Sequence, residues 1–447
     1  MSSSSRGEFS SSFGFVMAAA GSAIGLGNIW GFPTQTAQNG GAAFVLFYLI
    51  ISFVVGYPIL MAEFTIGRHS QSNPVGTYQK IKGGKPFVPA GYVGLFTMGV
   101  ILSFYCLIAG AMIAYFIDPF LQLLGAEEAA RWVTAQSTES NMLFGSLFFF
   151  FTILIVAAGV NNGIEKWSSR LMPTLLVILL LLVFYVLTLK GSAEGVKKYL
   201  LPDFGKVLDP KIFISALGQA FFSLSLGVGS MLVYASYTSK KENLVRLGAY
   251  VTLSDIGIAF LAGLLIIPAM YAAAAAGTQI FDDSGNLISG PNLIFQVLPA
   301  LFDTMGAAGS AVAIVFFFLM VIAALTSTIS MLEVPVSFAI DNKNMNRKKA
   351  SIIIGLFFWA ISMVIALNFD LLFNLVVTVT TQYIQPLLGL VICLFTGWVI
   401  DRNLLLREIM QGNPNAENSF FMKVWPYFVR FVSPVLILII FYQTFFG

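Results

Sequence analysis

The chain has 447 residues, of which 57% are hydrophobic and only 10% charged, with a mean hydropathy of +0.86 and a net charge of +3. A soluble protein of this length would carry about 25% charged residues, so the composition excludes a soluble domain and describes a polytopic membrane protein. The small, scattered positive charge gives no case for nucleic acid. The polar start, Met1 to Ser12, has no apolar core ahead of a small-residue cleavage site, so it does not read as a signal peptide.

Counting about 20 apolar residues per crossing predicts eleven spans, at roughly 13–37, 42–67, 90–119, 142–159, 168–189, 212–238, 245–271, 308–339, 350–367, 372–400 and 425–446. Span one should not be continuous. It holds Gly21, Gly25, Gly27 and Gly31, then Pro33, with Ser22 and Asn28 among them. Each glycine weakens a helix by roughly 1 kcal/mol relative to alanine. Loosened backbone at membrane depth survives only where protein, water, an ion or a ligand satisfies its polar groups. Span six repeats the pattern in Ser223-Leu224-Ser225-Leu226-Gly227-Val228-Gly229-Ser230. It opens a second set of five spans. Interrupted segments at matching positions of two halves point to a transport site at the bilayer midplane. Freed N–H groups at a half-helix start attract an anion, and freed carbonyls attract a cation. Span eight adds three consecutive hydroxyls, Thr326-Ser327-Thr328. Such hydroxyls can bond back to their own helix or face a site.

The basic residues orient the spans. With the N-terminus inside, 17 Lys and Arg fall in inner segments and 6 in outer loops, while Arg430 lies within the last span. The outer loop 190–211 holds five of those six and departs from the rule. In the outer loop 272–307, Pro291 to Leu298 reads as a short amphipathic helix, either a lid or a packed loop. Cys106 and Cys393 lie in apolar spans and are expected to pack rather than form a disulfide. His69 follows Arg68 at a span end, and no Cys/His cluster suggests a metal centre.

The stretch Gly21-Ser22-Ala23-Ile24-Gly25-Leu26-Gly27-Asn28-Ile29-Trp30-Gly31-Phe32-Pro33 closely resembles the neurotransmitter:sodium symporters. So do Asn39-Gly40-Gly41, Glu63-Phe64-Thr65-Ile66-Gly67-Arg68, Gln219 to Gly227, and Leu325-Thr326-Ser327. The resemblance covers the whole chain. It implies an all-α membrane protein of two inverted five-helix repeats, residues 13–189 and 212–400, with helices one and six broken and an extra helix at 425–446. It implies no enzyme activity, two sodium sites and no requirement for chloride. It places the protein in the cell inner membrane, N-terminus cytoplasmic and C-terminus outside; oligomeric state stays open.

Residue by residue, the resemblance implies a first sodium site of the Ala23 carbonyl, Asn28, Ser223 and a polar residue of span seven. Counting back from Pro268 gives Ser254, with Asp255 beside it. The second site would use carbonyls of Gly21, Ile24 and Ala323 with the hydroxyls of Thr326 and Ser327. A substrate carboxylate would rest near Leu26, Gly27 and the Tyr105 hydroxyl. An ammonium group would meet carbonyls of Ala23, Phe222 and Ser225. Ser22, Ile101, Val228 and Met331 would line the side-chain pocket, and Phe222 would cover it. Gly25 stands where amine-carrying relatives have an aspartate, so the substrate is expected to bring its own carboxylate: an amino acid with a neutral, hydrophobic side chain. Asp255 is an intramembrane carboxylate able to supply the charge that chloride supplies elsewhere in the family, and its protonation could couple to proton counter-transport; alternatively it lies at the span's inner end. Glu63 is expected to accept hydrogen bonds from loose backbone, with Glu333 in a similar role.

Arg6, Ser236, Tyr237 and Asp341 match an inner gate, with Phe9 where a tryptophan is usual. Gly163 and Pro173 match a spacing that loosens span five for sodium release. The outer gate departs from the family. Its arginine is replaced by Gly31, and span ten has no acid between Asp370 and Asp401. The two charges are absent together, consistent with the cost of burying either alone. A carrier of another small zwitterion or amine, or a substrate sensor without transport, are the competing readings.

Overall fold

The computed structural model describes residues 6–202, 209–281, 287–288 and 293–446. Helices account for nearly all of the regular structure there, and one isolated bridge joins Phe281 and Leu287. Among the described residues nine helices are long and apolar enough to cross a membrane unbroken: Ala42–Ser70, Lys85–Leu123, Thr138–Ala157, Val160–Leu187, Leu244–Ala275, Ala308–Lys343, Arg347–Leu367, Phe369–Val399 and Phe420–Gln443. A tenth crossing is the pair Ser12–Ala23 and Gly27–Gln38, bent by 51° at the break. The pair Pro210–Ser223 and Ser230–Ser236, interrupted at residues 224–229, makes the eleventh. These are spans one to eleven in chain order, with one and six broken as expected. Cys106 and Cys393 are both buried and free.

Span one lies at the centre, against spans five, seven and eight, while span eight packs along span three. Its first half starts at a helix cap, the Ser11 hydroxyl accepting from Gly14 N–H at 3.0 Å. The side chains around it are nearly all buried, whereas Leu181, Phe184, Leu356 and Phe357 on outer spans are more than half exposed. Apolar exposure of that kind suits hydrocarbon, not water.

At the face of the bundle that carries Arg6, here the N-terminal face, the buried Arg68 pairs with Glu408 at 2.7 Å and donates to the carbonyls of Glu242 and Glu408. Burial alone would raise the Glu408 carboxyl, but bonds from His69 and Arg68 hold it below the usual carboxylate range. The histidine, 3.2 Å from Glu408 Oε2, is therefore part of this polar clasp. At the opposite face, Leu293–Thr304 forms the short helix expected in the long loop; its Leu293, Phe295, Leu298 and Phe302 are buried. Pro291 and Asn292 of that expected helix, and Asp203 and Lys206 of the loop 190–211, lie outside the described residues.

Candidate functional site

The break in span one spans Ile24 to Leu26. Ala23 ends the first half, and Ile24 is extended with φ −76° and ψ 103°. The chain then re-enters a wide helical turn at Gly27–Gly31. None of Gly21, Gly25, Gly27 and Gly31 has a positive φ. The helix is interrupted among them as expected, but by the extended Ile24 and not by left-handed glycines; Gly21, Gly25 and Gly27 give room. A Cβ on Gly25 would run into the hydroxyls of Ser327 and Tyr105; one on Gly27 would lie 3.0 Å from the Phe222 ring; one on Gly21 would lie 3.0 Å from Thr326 Cβ. Span six breaks differently. Ser225, Gly227 and Gly229 have φ of 51°, 89° and 87°, all left-handed. Glu63, fully buried, caps this loosened backbone: Gly227 N–H donates to one carboxylate oxygen at 2.7 Å and Leu232 N–H to the other at 3.3 Å. That is the expected role of Glu63.

Two clusters of oxygen flank the break in span one. In the first, Ser327 Oγ lies 3.4 Å from the Gly21 carbonyl, 3.4 Å from that of Ile24 and 3.3 Å from that of Ala323. Thr326 Oγ1 is 3.0 Å from the same Ala323 carbonyl. One hydroxyl proton cannot satisfy three carbonyls at once. The surplus of neutral acceptors suits a small hard cation, which needs several oxygens and no carboxylate. All five expected residues are thus brought together. Thr326 also bonds back to its own helix, and Thr328 reaches Thr152 of span four at 2.9 Å.

The second cluster is built on Asp255, which is 0% exposed. Asn28 Nδ2 donates to its carboxylate at 2.7 Å and to its backbone carbonyl at 3.1 Å. Ser223 Oγ lies 3.0 and 2.9 Å from the two carboxylate oxygens, and Tyr48 OH donates to one at 3.1 Å. Hydroxyls and an amide surround the carboxylate, and among the described residues no cationic side chain pairs with it. A buried charge of this kind calls for a cation or a proton. Asp255 therefore lies within the site and not at a span end. Ser254 does not join the cluster. It is 100° round the helix from Asp255, half-buried, next to the exposed Leu253, so the ungapped count from Pro268 misses the register by one residue. Tyr48 was absent from the sequence reading because one tyrosine in an apolar span carries no local signal.

Between the clusters, Leu26 N–H donates to Tyr105 OH at 2.8 Å, which leaves the phenol proton for an incoming acceptor. Gly25 N–H donates to Asn28 Oδ1 at 3.3 Å. Ser22 ties the two broken spans to span eight: its hydroxyl donates to Ser330 at 2.7 Å, and its carbonyl accepts from Ser225 Oγ at 3.1 Å. Ser22, Ala23, Ile101, Val228 and Met331 are all buried. Gln219 Nε2 donates to the Gly27 carbonyl at 2.7 Å, a second link between the broken helices that sequence reasoning did not single out.

A cavity of 230 Å³ opens above Phe222, walled by Trp30, Phe104, Tyr105, Phe373 and Val377, with Gly31 at its side. Aromatic and aliphatic groups therefore surround Gly31, where the resemblance implies a charged outer gate. The N-terminal face is closed. Arg6 Nε pairs with Asp341 at 2.8 Å, Arg6 Nη2 donates to Ser236 at 2.9 Å, and the guanidinium lies 4.8 Å from the Tyr237 ring centroid. All four expected gate residues meet. They are joined by residues the sequence reading did not place there. Asn73 donates to Asp341 from its backbone and side chain, at 3.0 and 2.9 Å. Tyr237 OH donates to Glu333 at 2.5 Å, and Arg347 pairs with Glu333 at 2.8 Å. Glu333 thus serves the gate and not a broken helix. Arg347 is followed by Lys348 and Lys349, and only folding sets it apart from them. Phe9 is buried against Tyr234 and Tyr237. Gly163 lies in a wide helical turn, Val160–Glu165, and Pro173 within the following helix, exposed on the outside of the bundle. It is Met172 that faces Gly21. Glu165 instead ties the N-terminal segment down, accepting from Ser10 N–H and hydroxyl at 2.8 and 2.6 Å.

Two loosened helices crossing at a buried, oxygen-rich centre, sealed at one face and approached by a cavity from the other, define a membrane transporter. The chain belongs to the sodium:neurotransmitter symporter family, whose model matches residues 6–146 and 142–446. It is a sodium-dependent transporter, not an enzyme. It is 36% identical over 97% of its length to 96% of an uncharacterized sodium-dependent transporter, YhdH, of Bacillus subtilis (strain 168). It is 31% identical over 99% of its length to 98% of another from Haemophilus influenzae. Among solved structures it resembles MhsT in complex with L-phenylalanine, with a TM-score of 0.85 and 37% identity, covering 98% of this chain and 99% of that one.

Proposed function

We propose that the chain carries a neutral, hydrophobic amino acid into the cell together with sodium, by alternating access. The observation that carries this reading is the Ser327 hydroxyl held against carbonyls of both span one and its own helix. It makes a cation the link between two elements that must move relative to each other. Gly21, Ile24, Ala323, Thr326 and Ser327 would hold one sodium ion. Ala23, Asn28, Ser223 and Asp255 would hold a second, next to the substrate. Asp255 supplies the negative charge there, so chloride is not required. The substrate carboxylate would accept from Tyr105 OH and the Gly27 backbone. Its ammonium would face carbonyls of Ala23, Phe222 and Ser225, and its side chain Ser22, Ile101, Val228 and Met331. The phenylalanine bound by the similar MhsT supports a hydrophobic side chain. Gly25 supports an amino acid over an amine, since no acid stands there to replace a missing carboxylate.

The chain would form two inverted repeats, 13–189 and 212–400, with 425–446 as the extra helix. Four spans lie between spans one and six, so the two broken helices run in opposite directions. The positive-charge bias supports an N-terminal face in the cytoplasm and a C-terminus outside. The Arg6–Asp341 pair is then the closed inner gate, and the cavity above Phe222 is the outward approach. Sodium and substrate stabilise this state. Loss of the ion at Ser327 to the cytoplasm, through loosening of span five between Gly163 and Pro173, would release the substrate.

A sodium-dependent thermal-shift screen of the amino acids, followed by uptake into proteoliposomes, tests this. Hydrophobic neutral amino acids should stabilise the protein only with sodium and should accumulate down a sodium gradient. Stabilisation by amines alone would sink the substrate assignment. Binding without flux would favour a sensor.

A further inference from the structure

At the N-terminal face, the end of span ten, the short helix Arg402–Met410 and the start of span eleven enclose a cavity of 130 Å³, far from the broken helices. Its apolar walls include Ile400, Met422, Val429 and Phe431, and its polar groups are Thr396, Arg402 and Arg430.

Two independent features set it apart. The first is Thr396, which is 1% exposed and whose hydroxyl has no hydrogen-bond partner. Thr65, Thr152, Thr380 and Thr381, also in membrane helices, each bond back to the carbonyl four residues earlier. Thr396, like Thr252 of span seven, does not, and of the two it is Thr396 that lines this cavity. Leaving such a group unmade is costly. The second is charge without compensation. Arg430 is positioned by its Nε donating to the Gly397 carbonyl at 2.8 Å and by the Trp398 ring, 5.0 Å from its guanidinium carbon. Its terminal nitrogens make no ion pair among the described residues. Arg402 makes no ion pair among the described residues. The nearby acids are engaged elsewhere: Asp401 accepts from Asn403 N–H at 2.7 Å, and Glu408 pairs with Arg68.

We propose that this cavity binds a phosphodiester anion, and that its source is an anionic glycerophospholipid of the adjoining leaflet. The phosphate sits between the Arg402 and Arg430 guanidinium groups, whose planar forks match its oxygens. The Thr396 hydroxyl donates to one phosphate oxygen. The glycerol and first methylenes lie against Met422, Val429 and Phe431. A lipid is favoured over a soluble phosphate because Tyr427 and Phe431, which line the cavity, are 65% and 48% exposed, and Trp398, 56% exposed, packs edge-on against Phe431. Exposed aromatic side chains at a span end mark the depth of the headgroups, where basic pockets between helices take anionic heads.

The test uses the full chain in nanodiscs and reads the unfolding temperature. The arms are phosphatidylcholine alone, phosphatidylcholine with phosphatidylglycerol, and phosphatidylcholine with soluble glycerol 3-phosphate. Phosphatidylglycerol should raise the temperature and glycerol 3-phosphate should not. Arg402→Gln should remove most of the rise. Thr396→Val should reduce the rise while matching or exceeding the parent in phosphatidylcholine, because it deletes the orphaned hydroxyl. Lys349→Gln, an exposed basic residue elsewhere on the same face, should keep the full rise. No rise with phosphatidylglycerol, or a full rise in both cavity variants, overturns the proposal. An equal loss in Lys349→Gln assigns the effect to general surface charge. A rise with glycerol 3-phosphate assigns the site to free phosphate and overturns the lipid source.

Discussion

The two broken helices look alike in sequence and are built on different physics. In span six the glycines supply torsions: Gly227 and Gly229 are left-handed, and the adjoining Ser225 is too. In span one the glycines supply space: their torsions are ordinary, and Gly21, Gly25 and Gly27 each face a group that a Cβ would crowd. The consequence is a division of labour. Span six is held open by the chain itself, through Glu63 and its two backbone donors. Span one leaves carbonyls of Gly21 and Ile24 facing a single hydroxyl, so its completion is left to what binds there.

Substitutions at the glycines break or sharpen that contrast. The largest effect is expected for Gly227→Ala. An alanine at φ +89° costs about 1–2 kcal/mol in backbone strain, and its Cβ would lie 2.5 Å from the Gln385 carbonyl, which cannot rotate away. A large fall in unfolding temperature and loss of uptake should follow; a near-native unfolding temperature would mean span six does not need left-handed torsion there. Glu63→Gln comes next. Replacing one acceptor by a donor leaves Gly227 or Leu232 N–H unpaired, a loss of about 1–3 kcal/mol of stability, read as a lower unfolding temperature with or without sodium. An unchanged value would show that span six stays open without Glu63.

Gly25→Ala should act on function more than on fold. Its torsions are permissive, but the methyl group displaces the Ser327 and Tyr105 hydroxyls. Sodium-dependent substrate affinity should fall by about tenfold or more, equivalent to about 1.4 kcal/mol, while the unfolding temperature without ligand changes little. Isothermal titration in sodium and in potassium separates the two; a purely structural loss would sink the space argument. The smallest effect is expected for Gly31→Ala. The nearest atoms to a new Cβ are Gln219 Oε1 at 3.6 Å and Nε2 at 3.7 Å, ordinary contact. Uptake and stability should stay near wild type. A severe loss would show that this glycine, too, is needed for room.

Much of the site was legible because its chemistry is local in sequence. Asn28 sits beside the break it serves, and Thr326 and Ser327 are adjacent, so their pattern survives without the fold. What was not legible depended on facing. Asp255 and Ser254 are neighbours, and only the rotation of span seven decides which meets Asn28 and Ser223. Tyr48, Gln219 and Ser330 reach the centre from spans two, six and eight, each as one polar side chain in an apolar run. Glu333 and Arg347 are 14 positions apart, brought together by the turn that follows span eight, where Asn344 is left-handed at φ 51°.

By itself, the sequence determined that the chain is a membrane protein of eleven crossings, that the first and sixth are interrupted, and that backbone and hydroxyl oxygens cluster near the interruptions. It could do so because hydropathy and glycine spacing act along the chain, residue by residue. Tertiary structure alone decided why each glycine is there. Torsion and close approach leave the same letter in the sequence. They differ only in what stands opposite: a Ser327 hydroxyl in span one, a left-handed turn against the Gln385 carbonyl in span six.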